Sequence, residues 1–194
     1  MSQMCSESRQ DLNIILGRVL EILWVKNNQL EVPNVFAILD GARDRRIEPM
    51  LRNSGSEHEC LFSGQMTYAL RRAAPFIVKL EKDSDFIERL LSLSWGNAWG
   101  VLGIANADCT LQTVRKNLRS IARVIGPNGK PLMFRYYDPR VMRVYLPTCV
   151  EHEVTQVFGP LQAIVMEDVD SNKALKFTPG SDRPIQLTSF DLAR

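Results

Sequence analysis

The chain has 194 residues, a length that predicts one compact domain with a substantial core. Its 24 Lys and Arg against 22 Asp and Glu give a formal charge of +2, which provides no overall field and argues against nucleic acid or an anionic membrane as partner. The four cysteines are scattered, without histidines at metal-ligand spacing, and this pattern indicates reduced thiols in a cytoplasmic protein.

The first half of the chain alternates helix patterns with apolar runs. Apolar residues at three- and four-residue spacing predict a core-facing helix over residues 11–26. Because Arg18 and Glu21 interrupt that segment and the start of the chain is polar, neither a signal peptide nor a membrane span is expected. A continuous apolar run at 35–39 ends at Asp40-Gly41, which predicts a buried strand and a turn. Further strands are predicted at 60–62 and 76–80, and a helix at 86–93.

The second half continues in the same way. A strand at 101–105 carries glycines, which indicate close approach by another backbone or an aromatic ring. A helix follows from about residue 110, and a turn at 126–129 predicts a hairpin between strands around 124–125 and 132–136. A short helix at 151–158 precedes strands at 162–166 and 174–177, and the tail from 178 is expected to be extended, and either mobile or bound to a partner.

This alternation predicts an α/β or α+β domain with a mixed sheet and helices packed on its faces. We expect an N-terminal helix over residues 1–33, a core over 34–165, and a C-terminal strand and tail over 166–194 that pack on the same domain.

The segment 134–140, with the sequence FRYYDPR, is the most informative of the chain. Its aromatic residues favour a strand, and Asp138 followed by Pro139 has the pattern of a helix N-cap with proline at the first helical position. Arg135 and Arg140 flank Asp138, and a guanidinium matches a carboxylate in a two-pronged fashion. We therefore expect a buried or half-buried polar network here, which either organises the fold or grips a partner.

Enzymatic chemistry has one candidate, Asp40, because α/β enzymes place ligands at the carboxyl ends of strands. The alternative is an aspartate that accepts backbone N–H bonds in the turn with Gly41. His58 and His152 accompany no local nucleophile motif, and the acids and thiol around His58 alternate between the faces of a strand. No catalytic, metal-binding or cofactor-binding residue is expected.

A basic ridge is predicted on the helix that starts near residue 110, formed by Arg115, Arg119 and Arg123 at four-residue spacing. Three interpretations remain open: a solvated helix face, a docking surface for an acidic protein, and contacts to nucleic-acid phosphates.

Seven segments occur in a characteristic order: AILDGA at 37–42, LFSG at 61–64, APFIV at 74–78, Trp95 to Trp99, NLR at 117–119, FRYYDPR at 134–140 and FGP at 158–160. Taken together, they resemble those of one family, the type VI secretion effector adaptors, also called Tap or TEC chaperones. The resemblance covers about residues 34 to 165. One departure is Asn117, which stands where the family usually has histidine.

The resemblance implies a cytoplasmic, non-catalytic bacterial protein that binds a toxic effector and helps to load it onto the valine-glycine-repeat (VgrG) spike protein. The residues that it singles out, together with the strand-end aspartate, would serve as scaffold or as partner contacts; they are Asp40, Trp95, Trp99, Arg119, Arg135, Tyr137, Asp138 and Arg140. The competing hypotheses are an enzyme that uses Asp40 and a nucleic-acid protein that uses the basic helix.

Overall fold

The computed structural model describes residues 2–24, 31–126 and 128–193. The helices are α1 (Ser2–Leu23), α2 (Ile47–Arg52), α3 (Tyr68–Arg72), α4 (Asp85–Ser94), α5 (Leu111–Ser120), α6 (Pro139–Tyr145) and α7 (Glu151–Phe158), with a 3-10 turn at Leu146–Thr148. The strands are β1 (Asn34–Asp40), β2 (His58–Cys60), β3 (Pro75–Leu80), β4 (Gly100–Ala105), β5 (Arg123–Ile125), β6 (Pro131–Met133), β7 (Leu161–Glu167), β8 (Lys173–Pro179) and β9 (Ile185–Asp191).

Seven of the strands form one sheet in the order β2-β3-β1-β4-β7-β8-β9, and β5 pairs with β6 as a separate hairpin. The central strand β1 is apolar along most of its length because both faces of the sheet are covered. Val35, Ala37 and Leu39 point into a core shared with α1, α2 and α4. Phe36 and Ile38 point into a second core shared with α5, α6 and α7.

The predicted fold class is therefore confirmed in its α+β form, a single layered domain with helices on both faces of a sheet. The expected mixture of strand directions is wrong, since every strand pair in the described parts of the chain is antiparallel. The connection between β1 and β3 brings the chain back to the end of the sheet where β1 finishes, so β3 starts beside the end of β1, with Asp40 opposite Pro75.

Several local predictions are confirmed with shifted boundaries. Helix α1 begins earlier than predicted, at Ser2, and the predicted end at residue 26 lies outside the described residues. The hairpin strand β6 ends at Met133, so segment 134–138 is a turn rather than the predicted strand. Gly100 is needed for close packing, because a Cβ atom there would collide with the backbone carbonyl of Ile38. Beyond residue 178 the chain is extended, as expected. The expectation of a mobile or partner-bound tail differs from the structure, in which β9 pairs with β8 along seven residues and forms the edge of the protein's own sheet.

Candidate functional site at the Asp40 end of the sheet

Four of the segments that carry the resemblance meet at one end of the sheet. In the antiparallel register Asp40 lies opposite Pro75, and Leu39 lies opposite Gly100. The Asp40 backbone N–H donates to the Trp99 carbonyl at 2.7 Å, and the Gly41 N–H donates to the Ala74 carbonyl at 3.1 Å. We use "the Asp40 end" for the surface made by Asp40, the turn 95–99, the segment 134–140 and the last residue of β7, Glu167.

Asp40 is buried, with 1% of its surface exposed. One carboxylate oxygen accepts a hydrogen bond from the Ala42 backbone N–H at 3.1 Å, which confirms the predicted turn. The other oxygen accepts a hydrogen bond from the Arg135 guanidinium and forms an ion pair with it. Arg135 cannot act as a base, since a guanidinium stays protonated, so this contact neutralises Asp40 and does not activate it.

Asp138 is the N-cap of α6, as the sequence predicted, and is 2% exposed. Its carboxylate accepts from the Arg140 backbone N–H at 3.0 Å and from the Arg140 side chain at 2.9 and 2.7 Å. Burial alone would raise the pKa of Asp138, but the hydrogen bonds from Arg140 and the neighbouring positive charges outweigh it and lower that pKa. Asp138 therefore remains a carboxylate at neutral pH.

Arg135 joins the two buried acids. Its guanidinium pairs with the Asp40 carboxylate and also lies 3.5 Å from the Asp138 carboxylate. The central carbon of the guanidinium is 5.9 Å from the centre of the Tyr137 ring. The hydrogen bond with Asp40 raises the pKa of Arg135. The result is a chain of alternating charges, Asp40, Arg135, Asp138 and Arg140, in which the acids are buried while the two arginine side chains stay 42% and 48% exposed.

The aromatic residues of the same segment complete the second core. Tyr136 and Tyr137 are buried and pack edge-to-face with ring centres 5.4 Å apart. Phe134 packs on Tyr145 of α6 at 4.7 Å. Burial raises the pKa of Tyr136 and of Tyr137, so both phenols are neutral at physiological pH.

Trp95 and Trp99 are both buried in the first core. The Trp95 indole N–H donates to the Ser171 carbonyl at 2.8 Å, which ties the turn after α4 to the loop between β7 and β8. The guanidinium of Arg46 lies over the Trp99 ring, 5.3 Å from its centre. Both tryptophans therefore serve packing, and the edge of the site is formed by arginines around them.

Sequence reasoning missed Glu167, which organises the turn between the tryptophans. Its buried carboxylate accepts the backbone N–H groups of Gly96 at 2.5 Å and Ala98 at 2.9 Å. Gly96 and Ala98 both have positive φ, +80° and +52°, so the turn needs this support. Burial raises the pKa of Glu167 despite these two bonds. The available signal was its position at the end of an apolar run, the same pattern that marked Asp40.

Two further arginines at the Asp40 end were also missed. Arg43 donates to the Asn97 carbonyl at 3.1 Å, and Arg143 donates to the Glu167 carbonyl at 2.8 Å. Arg43 thus binds a backbone oxygen of the turn 95–99, and Arg143 binds a backbone oxygen at the end of β7. The buried carboxylates of Asp40, Asp138 and Glu167 are therefore all satisfied by arginine side chains or backbone N–H groups of the protein itself.

Arg119 does not belong to this end of the sheet. It lies on α5 beside an open groove of about 940 Å³, together with Arg115. The predicted ridge of three arginines on one helix is wrong for Arg123, because α5 ends at Ser120 and Arg123 belongs to β5. Arg123 nevertheless lines the same groove.

Asn117, the departure from the resemblance, has a structural contact. Its side-chain amide donates to the Gln156 carbonyl near the end of α7 at 3.2 Å. It also lies against Gly159, which adopts a φ of +49° and has no room for a side chain. Asn117 therefore fixes α5 to the end of α7.

Metal ions would need a cluster of suitable ligands. The part of the chain that the structure describes contains no group of three His, Cys, Asp or Glu side chains able to hold an ion. Nor is any described helix both long enough and apolar enough to cross a membrane.

With the fold and the site defined, the chain can be placed in a family. The geometry defines an α+β domain in which two buried aspartates, Asp40 and Asp138, are paired with two half-exposed arginines, Arg135 and Arg140. The family model described as "Domain of unknown function (DUF4123)" matches residues 35–156, and the chain belongs to that family. Comparisons with curated proteins and with solved structures gave no match. The matched range contains all eight residues singled out from the sequence.

Proposed function

We propose that this protein is a type VI secretion effector adaptor, a non-catalytic cytoplasmic chaperone that binds a toxic effector and helps to load it onto the VgrG spike protein. Membership of the DUF4123 family supports this, because the match covers most of the segments on which the resemblance to the adaptors rests.

One observation carries the proposal: the ionised side chains of segment 134–140 and Asp40 bind one another. Each buried carboxylate is held by guanidinium and backbone N–H donors, an arrangement that orients loops and helix starts. A general base at Asp40 would have to face a substrate, whereas this carboxylate is 1% exposed and bonds the Ala42 N–H and the Arg135 guanidinium. The contacts of this site therefore fix the positions of the loops and helix starts that form the surrounding surface.

The scaffold and contact roles divide between the two kinds of residue. Asp40 and Asp138 are buried and serve as scaffold. Arg135 and Arg140 keep nearly half of their side-chain surface exposed and present guanidinium groups whose remaining N–H donors are available to a partner. Adaptor function then depends on shape and hydrogen bonds, with arginine as the residue that reaches the client.

Co-expression with the proteins encoded next to this chain, followed by affinity capture, tests the proposal. We expect a toxin and a VgrG protein to be recovered in stoichiometric amounts. Arg140→Ala removes an exposed guanidinium and its ion pair with Asp138 but keeps the backbone N–H that Asp138 caps. In a chain whose circular dichroism spectrum and thermal unfolding are unchanged, it should reduce effector recovery more than Arg89→Ala, an exposed arginine of α4. Recovery of this chain alone from cells that contain its neighbours would contradict the adaptor role.

A further inference from the structure

A second surface, distinct from the Asp40 end, is open to a partner. We call it the α5 groove: it is about 940 Å³, and α5, segment 61–70 and the β5–β6 hairpin form its sides. Its apolar lining comes mainly from Leu61, Phe62, Met66, Leu70 and Met133. None of the charged residues described at the Asp40 end lines it.

Two of the elements around the α5 groove, α3 and β5, have no buried residue, and all three residues of β5 are exposed. Leu70 of α3 is 46% exposed and Met133 of the hairpin is 48% exposed, and both line the groove. Val124, Ile125 and Leu132 of the adjoining hairpin are also large apolar side chains left open to solvent. Apolar area of this kind, gathered around one concave surface, is typical of a protein-binding site.

Positive charge surrounds this apolar surface. Arg115, Lys116, Arg119 and Arg123 line the groove, and none of the carboxylates that the structure describes does. Arg115 is partly occupied, since it donates to the Cys60 carbonyl at 3.3 Å and lies 3.8 Å from the Glu59 carboxylate. Within the described ranges the other three cations form no ion pair. On a chain whose formal charge is only +2, this is a local excess.

We infer that the α5 groove binds an acidic, amphipathic segment of a partner protein, with its apolar side chains on Leu70 and Met133 and its carboxylates on Lys116, Arg119 and Arg123. The inference rests on the proposed function, in which that partner is the effector. Charge complementarity selects the occupant: arginine clusters recognise acidic motifs, and apolar grooves take amphipathic segments. Of the three interpretations of the basic residues given in the sequence analysis, this inference selects a docking surface for an acidic protein.

Nucleic acid fits the α5 groove less well. Single-stranded nucleic acid needs flat aromatic side chains on which bases stack, along with cations for the phosphates. Phe62 is the one aromatic residue among the described residues of the lining, and it is half-buried. A phosphate backbone on the cations would leave Leu70 and Met133 uncovered.

The binding test uses a fluorescein-labelled peptide with leucines at helical spacing and glutamates at the other positions, measured by fluorescence anisotropy on the full chain. We expect saturable binding that weakens as salt is raised, because the charge contribution is screened. Peptides with lysine in place of glutamate, or serine in place of leucine, should bind more weakly by roughly tenfold or by a larger factor. Absence of binding, or tighter binding of a single-stranded thymidine oligonucleotide, would overturn the inference.

Charge-reversal substitutions test whether the acidic peptide binds in the α5 groove. Lys116→Glu combined with Arg123→Glu changes two exposed residues, so the fold is preserved, and the affinity for the acidic peptide should fall roughly tenfold. The matched control, Arg18→Glu with Arg89→Glu, reverses two exposed helix arginines outside the groove and should leave the affinity within about twofold. Equal losses in both double variants would contradict a groove-specific site.

Co-expression separates this inference from the adaptor role. If an effector is captured by the unmodified chain and lost with Lys116→Glu/Arg123→Glu, both hold. If it is captured equally by both chains, the adaptor role stands and the groove inference fails. If no effector is captured while the acidic peptide still binds the groove, the adaptor role fails and the acidic-segment site remains. Self-association that the double variant abolishes would instead assign the groove to a second copy of this chain.

Discussion

Arg135 binds the carboxylate of Asp40, a residue 95 positions earlier in the chain. This contact joins the end of the central strand to the turn that precedes α6, so two segments far apart in the chain are held in one geometry. Because Asp40 is almost fully buried, the guanidinium is what makes its charge tolerable there.

Removal of that guanidinium tests how much of the domain depends on it. Arg135→Ala leaves Asp40 without its ionic partner, and we expect the free energy of unfolding to fall by about 2 kcal/mol. This loss is smaller than that for a fully buried ion pair, because solvent screens the half-exposed arginine. Urea denaturation followed by circular dichroism measures the change.

The double variant Arg135→Ala/Asp40→Asn serves as the control for that experiment. The Asp40→Asn substitution removes the unpaired charge yet retains an oxygen for the Ala42 N–H, so part of the loss should be recovered. Additive losses in the double variant would show that Arg135 acts on the fold by a route other than Asp40.

Acid should weaken the start of α6 through Asp138. Its pKa is lowered in the folded protein, so its contribution to stability is fully present above the unfolded value near 3.8 and is lost as the pH falls through the folded pKa. The difference in unfolding free energy between the unmodified protein and Asp138→Asn should therefore be constant from pH 7 to about 5 and shrink below pH 4. A difference that grows on acidification would reverse the sign of this interaction.

Glu167 should show the opposite dependence. Its pKa is raised by burial, so the folded state binds a proton more tightly than the unfolded chain, and this contribution is present below 4.5 and lost as the pH rises through the folded pKa. The stability of the unmodified protein relative to Glu167→Gln should accordingly increase as the pH is lowered from 7 towards 4.5. Thermal unfolding of both proteins across that range measures it, and equal slopes would show that Glu167 titrates at its ordinary value.

Gly159 should be the least replaceable glycine near α7. It has a positive φ, and a Cβ there would collide with the Asn117 side chain. We expect Gly159→Ala to reduce the unfolding free energy by about 3 kcal/mol, from backbone strain together with displacement of Asn117.

Gly64→Ala is the matched control for Gly159. Gly64 also has positive φ, but a Cβ there meets open space, so only the backbone strain of about 1 kcal/mol applies. Equal effects of the two substitutions would mean that the contact between Asn117 and Gly159 contributes nothing.

Much of the local structure was predictable because its signals are short-range. The apolar run 35–39 identified the central strand, and Asp138 with Pro139 identified the start of α6, since caps and apolar patterns act over a few residues. Strand direction was not predictable in the same way. It depended on which end of the sheet the connection between β1 and β3 reaches, a property of the whole connection.

The amino-acid sequence by itself determined where most of the strands and helices form, which acids end the apolar runs, and that Arg135 and Arg140 flank a helix cap. Only the tertiary structure decided that Arg135 pairs with Asp40, that Glu167 supports the turn at Gly96 and Ala98, and that Arg123 faces α5 from a separate hairpin. The physical reason is range: caps and periodicity are read within one turn or one strand, whereas pairing between distant charges requires the sheet to bring its strand ends together.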